Sequence, residues 1–99
     1  MLLIIGTVRL AKGDLSAAVP AMKRMAQASR MEDGCLEYGY AQDVFDPGLL
    51  HVREVWRDQA TPDRHFRSEH MAQWRAAWPS LGIRDRDLRV YCVGDARPI

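Results

Sequence analysis

Two of the chain's three histidines, two of its three tryptophans and two glutamates fall within EVWRDQATPDRHFRSEHMAQW, residues 54 to 74. Imidazole titrates near neutral pH, so His65 and His70 are the natural candidates for moving a proton in this chain. Trp56 and Trp74 offer flat apolar walls, Glu54 offers a carboxylate, and Tyr38 and Tyr40 stand just upstream. Each has a plainer use. A histidine on a short amphipathic helix also serves as a structural hydrogen bonder. Trp74 and Trp78 share the helix face that meets a sheet, and Tyr38 and Tyr40 suit cross-strand packing or a dimer contact.

No metal site is expected. His65 and His70 are five positions apart. On a continuous helix that separates them by about 140°, unlike the i, i+4 pair of zinc helices. A helix broken at Ser68 would leave that angle undefined. No cysteine lies nearby, and HFRSEH is not HExxH.

These side chains must be held by a chain of 99 residues, 47% hydrophobic and 27% charged, with formal net charge +1. One domain over 1–99 is expected, and a domain of this size buries only about 60 to 65% of its extended-chain surface. The near balance of charge leaves no electrostatic footprint for nucleic acid or an anionic membrane. Charges interleave locally, as in RDRDLR at 84–89, the pattern of a solvated face with local ion pairs. The opening MLLIIGTVRL has no basic residue before its apolar run, which is too short for a signal core or a span. A cytoplasmic protein is expected. Cys35 and Cys92 have no CxxC spacing and read as small buried strand residues.

Residues 2–10 read as a strand covered on both faces, because LLII shows little alternation. Gly13 and Asp14 punctuate, and Leu15, Ala18, Val19, Met22, Met25, Ala26 and Ser29 keep helical spacing to about residue 31. Pro20 must lie in a distorted first turn or kink that helix. Gly34 ends the helical region; residues 35–44 make a strand with Leu36, Tyr38, Tyr40 and Val44 on one face, and Asp46-Pro47-Gly48 is a turn. The strand at 49–57 places Leu50, Val52, Glu54 and Trp56 on one face and His51, Arg53 and Val55 on the other, forming an antiparallel hairpin with its predecessor. Thr61-Pro62 opens a helix, with Thr as cap, and Ser68-Glu69 caps a second piece that Pro79 and Gly82 stop. DLRVYCVGD, 87–95, is the last strand.

The order β-α-β-β-α-β is the ferredoxin-like plan, an α+β fold with a four-stranded antiparallel sheet and helices on one face. Leu3 and Ile5 point away from Leu2 and Ile4, and Tyr91 and Val93 away from Val90 and Cys92, so the other face is apolar too. A second copy packed sheet to sheet, a dimeric α/β barrel, covers it with least chain.

EDGCLEYGYAQD followed by REVWRDQATPDRHFRSEHMAQW resembles the antibiotic biosynthesis monooxygenase family of dimeric α/β barrels, most closely its quinol monooxygenase type. Glu54-x-Trp56, His65 nine positions after that Trp, His70-Met71 and an aromatic at 74 carry the resemblance, which covers nearly the whole chain. It implies a homodimer that oxygenates electron-rich aromatics such as quinols, naphthols or anthrones with O2, using no flavin, haem or metal. A phenol donates an electron to O2 far more readily once deprotonated, and a histidine suits that proton transfer at neutral pH. The resemblance implies His65 as base or hydrogen-bond partner and Trp56 as ring wall. His70 and Trp74 complete the pocket, and Glu54 orients a histidine or pairs with Arg53 or another arginine.

The haem-degrading relatives of this fold use an Asn on the first strand and a haem-ligating His on the last helix; the corresponding positions here are Gly6 and Arg75. Two classes of function stay open. One is a cofactor-independent monooxygenase, or an isomerase with the same proton shuttle. The other is a non-catalytic dimeric barrel that binds a small molecule or answers stress.

Overall fold

Leu50, Val52, Glu54 and Trp56 alternate along one strand, and all four are buried, while His51 and Arg53 between them are exposed. This strict period of two marks a strand with one face in the core. The computed structural model describes residues 1–11 and 15–99, so Gly13 and Asp14 lie outside the described residues. Its elements are β1 (Leu2–Leu10), α1 (Val19–Arg30), β2 (Cys35–Gln42), β3 (Leu49–Trp56), α2 (Ala60–Phe66), α3 (Glu69–Leu81) and β4 (Ile83–Cys92). The antiparallel sheet has the order β2-β3-β1-β4, the expected ferredoxin-like α+β arrangement.

One core joins Leu2, Ile4, Val8 and Leu10 of β1 with Met22 and Met25 of α1 and Met71 and Trp74 of α3. Full burial of each such side chain is worth about 1.5–3 kcal/mol. Among the described residues no helix is long and apolar enough to cross a membrane.

Pro20 lies in the first turn of α1, where its missing N–H breaks no ladder, so the helix is intact and begins after Leu15. In β2 a bulge between Cys35 and Glu37 takes Leu36 out of the expected stripe, and Leu36 and Val44 are exposed while Tyr38 is buried. At α2 the cap is not Thr61: the helix starts at Ala60, and the Asp58 carboxylate accepts the Thr61 N–H at 3.1 Å. Ser68 caps α3 as expected, accepting the Met71 N–H at 3.3 Å.

Pro79 sits inside α3 and does not stop it; Gly82, at φ 73°, does. The last strand starts at Ile83, four residues before the expected point, because a bulge at Asp85, φ 55°, hides its alternation. Cys92 is exposed on this edge strand, not buried.

Gly6 and Gly34 are required by close approaches. A Cβ on Gly6 would lie 1.9 Å from the Asp87 carbonyl oxygen, so β4 seats directly over it. Gly34, at φ 84°, lets the chain turn back under α2, with the Thr61 methyl where a side chain would be.

Candidate functional site

The turn that Gly34 makes is what brings Glu32 to the histidines. Glu32 follows the end of α1, and its backbone N–H donates to the Ser29 carbonyl at 3.0 Å. Its carboxylate reaches α2 and α3, where Oε1 lies 2.9 Å from His65 Nδ1 and also bonds His70 Nε2. The two rings stand 5.7 Å apart, centre to centre. They converge because α2 ends at Phe66 and α3 begins at Glu69. The 140° separation of a continuous helix therefore does not apply, and the geometric case against a ligand set falls with it.

Donor atoms of Glu32, His65 and His70 lie within 4.8 Å of one another. One carboxylate and two imidazoles are a donor set that zinc and similar divalent ions accept.

The proton arrangement follows from the partners. A carboxylate offers only acceptors, so each imidazole nitrogen facing Glu32 carries hydrogen. His65 then donates from Nδ1, and in the neutral ring Nε2 is a bare acceptor. The His65 side chain is 0% exposed, and its Nε2 is buried without a hydrogen-bond partner. Burial pulls its pKa below the ordinary 6.5, against the opposing pull of Glu32. Neutral imidazole is therefore the resting form at neutral pH.

Around that ring stand Trp56 at 5.0 Å, Tyr38 at 5.2 Å and Phe66 at 5.3 Å between centroids. Trp56 Nε1 donates to Glu54 Oε2 at 2.9 Å. Glu54 is 1% exposed; burial raises its carboxyl above the usual range, while the Trp56 hydrogen bond and the charge of Arg86 pull it back. Glu54 therefore neither orients a histidine nor pairs with Arg53, which bonds Glu37 at 3.2 Å. Ile4 and Tyr38 flank it on the neighbouring strands. Burial likewise pushes the Tyr38 and Tyr40 hydroxyls upward, so both are neutral phenols.

Tyr40 and Trp74 form a second layer: Trp74 Nε1 donates to Tyr40 Oη at 3.3 Å, and Tyr40 packs 6.3 Å from Tyr38. Of the residues singled out from sequence, His65, His70, Trp56, Glu54 and Tyr38 thus meet in one cluster, with Tyr40 and Trp74 behind it. Glu32, Phe66 and Arg86 were not singled out, and Met71 only as part of the family pattern. For Glu32 the signal was its place in EDG, a carboxylate just ahead of a helix-ending glycine. Phe66 and Met71 also line a hollow of about 460 Å³ with Arg75, Trp78 and Arg86. The Met71 sulfur lies 4.0 Å from Tyr38 Oη, so this wall joins the hollow to the packing around His65.

Comparison with known proteins agrees with this architecture. A Deinococcus radiodurans structure that bears the name antibiotic biosynthesis monooxygenase is 27% identical, covers 100% of this chain and 98% of its own, and superposes with a TM-score of 0.89. A Pseudomonas aeruginosa protein, PA3566, is 28% identical over 97% of this chain and 94% of its own, TM-score 0.76. A Synechocystis protein, sll1783, is 19% identical over 98 residues, 99% of this chain and 67% of its own length. The family profile described as Antibiotic biosynthesis monooxygenase matches residues 1–77. With that profile spanning most of the fold and the whole histidine cluster, the chain belongs to the antibiotic biosynthesis monooxygenase family.

Proposed function

We propose that this chain is a monooxygenase that inserts an oxygen atom from O2 into a small electron-rich aromatic, a quinol, naphthol or anthrone, without an organic cofactor or metal. The observation that carries it is the bare, buried Nε2 of His65, backed by Glu32 and walled by Trp56, Tyr38 and Phe66. A buried acceptor without a partner costs about 1–3 kcal/mol, and a substrate hydroxyl would offset that.

In this mechanism the substrate O–H gives its proton to Nε2, and the imidazolium so formed is stabilised through Nδ1–H by Glu32. His70, on the same carboxylate oxygen, shares that charge. The resulting anion transfers an electron to O2 and the two recombine at a ring carbon. For a quinol, the ring C–H becomes C–OH, the diol becomes the dione, and the second oxygen atom leaves as water; the substrate supplies all four electrons. Trp56, Tyr38 and Phe66 pack around the imidazole and keep bulk water from it.

The chain acts as one domain over 1–99 and as a cytoplasmic homodimer. Leu3, Ile5, Val55 and Tyr91 lie on the sheet face that carries no helix, and Ile5 and Tyr91 are exposed. A second copy covers that face.

The test is O2 uptake by metal-free protein with a panel of quinols and naphthols, above the uncatalysed rate. Turnover that falls about 10²- to 10⁴-fold in a folded His65→Ala variant is expected. No uptake with any substrate overturns the proposal, and uptake that returns only when a divalent ion is added overturns its metal-free form.

A further inference from the structure

The segment RDRDLR pairs its charges locally, with one exception, Arg86, whose charge acts on the buried Glu54 carboxyl without a hydrogen bond to it. Arg84 meets Asp85 at 3.5 Å and Arg89 meets Asp87 at 3.9 Å. No hydrogen bond or ion pair of the described residues engages Arg86. The bulge at Asp85 sets β4 out of simple alternation, and Arg86 lies opposite the buried stretch of β1 around Val8. Its guanidinium carbon stands 5.7 Å from the centre of the Phe66 ring. The hollow bounded by Phe66, Met71, Arg75, Trp78 and Arg86 begins there.

The polar side chains of that hollow are all donors. Arg75 spends one N–H on the Phe66 carbonyl, at 3.2 Å, and keeps the rest of its fork. Arg86 keeps its entire fork. Trp78 carries an indole N–H that is buried without an acceptor. Phe66 and Met71 supply an apolar floor, and Phe66 packs directly on His65. An apolar floor beneath two guanidinia suits a flat ring that carries an anionic oxygen at one edge, since a guanidinium fork matches a carboxylate with two parallel hydrogen bonds.

We propose that the substrate of this site is an aromatic carboxylate, its ring against Phe66 and its carboxylate held by Arg86 with Arg75. This rests on the monooxygenase function proposed above for where the ring reacts, but the preference for a carboxylate is a property of binding and is measured apart from turnover. The charge fixes which edge of the ring faces outward, and the opposite edge meets Phe66 and Met71, the wall between the hollow and His65.

The experiment is calorimetric titration of the full chain at pH 7.5 with 1-hydroxy-2-naphthoate and with 1-naphthol, which differ only in the carboxylate. The naphthoate binds about tenfold tighter or better in the wild type, as charge-assisted hydrogen bonds allow. In Arg86→Met that ratio falls toward one, and in Arg86→Lys, which keeps the charge but loses the fork, it lies between. Equal affinity for both compounds in the wild type overturns the proposal, as does a ratio that survives the Arg86→Met/Arg75→Met double variant. O2 uptake with 1,4-dihydroxy-2-naphthoate and 1,4-dihydroxynaphthalene separates the two proposals. Carboxylate-selective binding without uptake of O2 from either diol leaves this inference standing and removes the monooxygenase. Uptake with no lower KM for the carboxylate does the reverse.

Discussion

Oε1 of Glu32 takes a hydrogen bond from Nδ1 of His65 at 2.9 Å across two elements 33 positions apart in sequence. That one bond fixes the tautomer of the ring and leaves Nε2 as its bare, buried acceptor. Glu32 is thus a positioning residue, and replacing it separates orientation from binding. Glu32→Gln lowers kcat about 10²-fold with KM little changed, because an amide can present the wrong group to Nδ1. Steady-state kinetics checks the split; an equal rise in KM would place Glu32 in substrate binding instead.

The pH dependence follows from the direction of the His65 shift. Burial lowers its pKa below 6.5, so the base stays neutral into mildly acidic solution and the acid limb of kcat/KM falls below the ordinary histidine range. Stability moves the same way. The unfolded chain binds the proton first, so the contribution of His65 is complete above pH 6.5 and is lost as pH falls from 6.5 through the folded value. Activity profiles and NMR titration of the imidazole protons report both; a midpoint above 6.5 would contradict the burial argument.

Gly34→Ala should be among the more damaging single changes. The substitution forces an L residue to φ 84° and drives its Cβ to 2.2 Å from the Thr61 methyl. A loss of about 1–3 kcal/mol is expected from the backbone alone, with further loss from the clash. Denaturant unfolding measures it, and the surviving folded fraction loses turnover because Glu32 is displaced.

Trp56→Phe tests the buried pair with Glu54. The ring is largely preserved, but the 2.9 Å hydrogen bond is gone and a buried carboxyl is left without its donor. About 1–3 kcal/mol of stability is lost. Coupling Trp56→Phe with Glu54→Leu in a double-mutant cycle should recover part of that loss, since the unpaired group is then removed as well.

The open sheet face predicts a dimer at micromolar concentration by sedimentation. Tyr91→Glu, placing a charge on the edge strand of that face, shifts the population to monomer while the far-ultraviolet circular dichroism is retained. A wild-type monomer would refute the assembly.

Much of the fold was legible because it rests on periodicity. β3 alternates cleanly since only one face is buried, and Ser68 and Gly82 mark the limits of α3 by chemistry that is local. What escaped was set by long-range contact. The bulges at Leu36 and Asp85 are answers to the partner strand, and no local pattern announces them. The site was legible in its histidines and Trp56 but not in Glu32, whose partners are 33 and 38 positions away. Glu54 drew attention as the carboxylate of Glu54-x-Trp56, and its expected pairing with Arg53 fails because successive strand residues face opposite sides.

The break between α2 and α3 has a bearing on how such centres are recognised elsewhere. Because a corner joins the two histidines, their meeting does not depend on helical pitch, and a neighbour with one residue more or fewer at the corner could keep the same pair on the same carboxylate. Queries for equivalent sites in other chains should therefore be written around the glutamate-glycine turn and the shape of the corner, with the interval between the imidazoles left free.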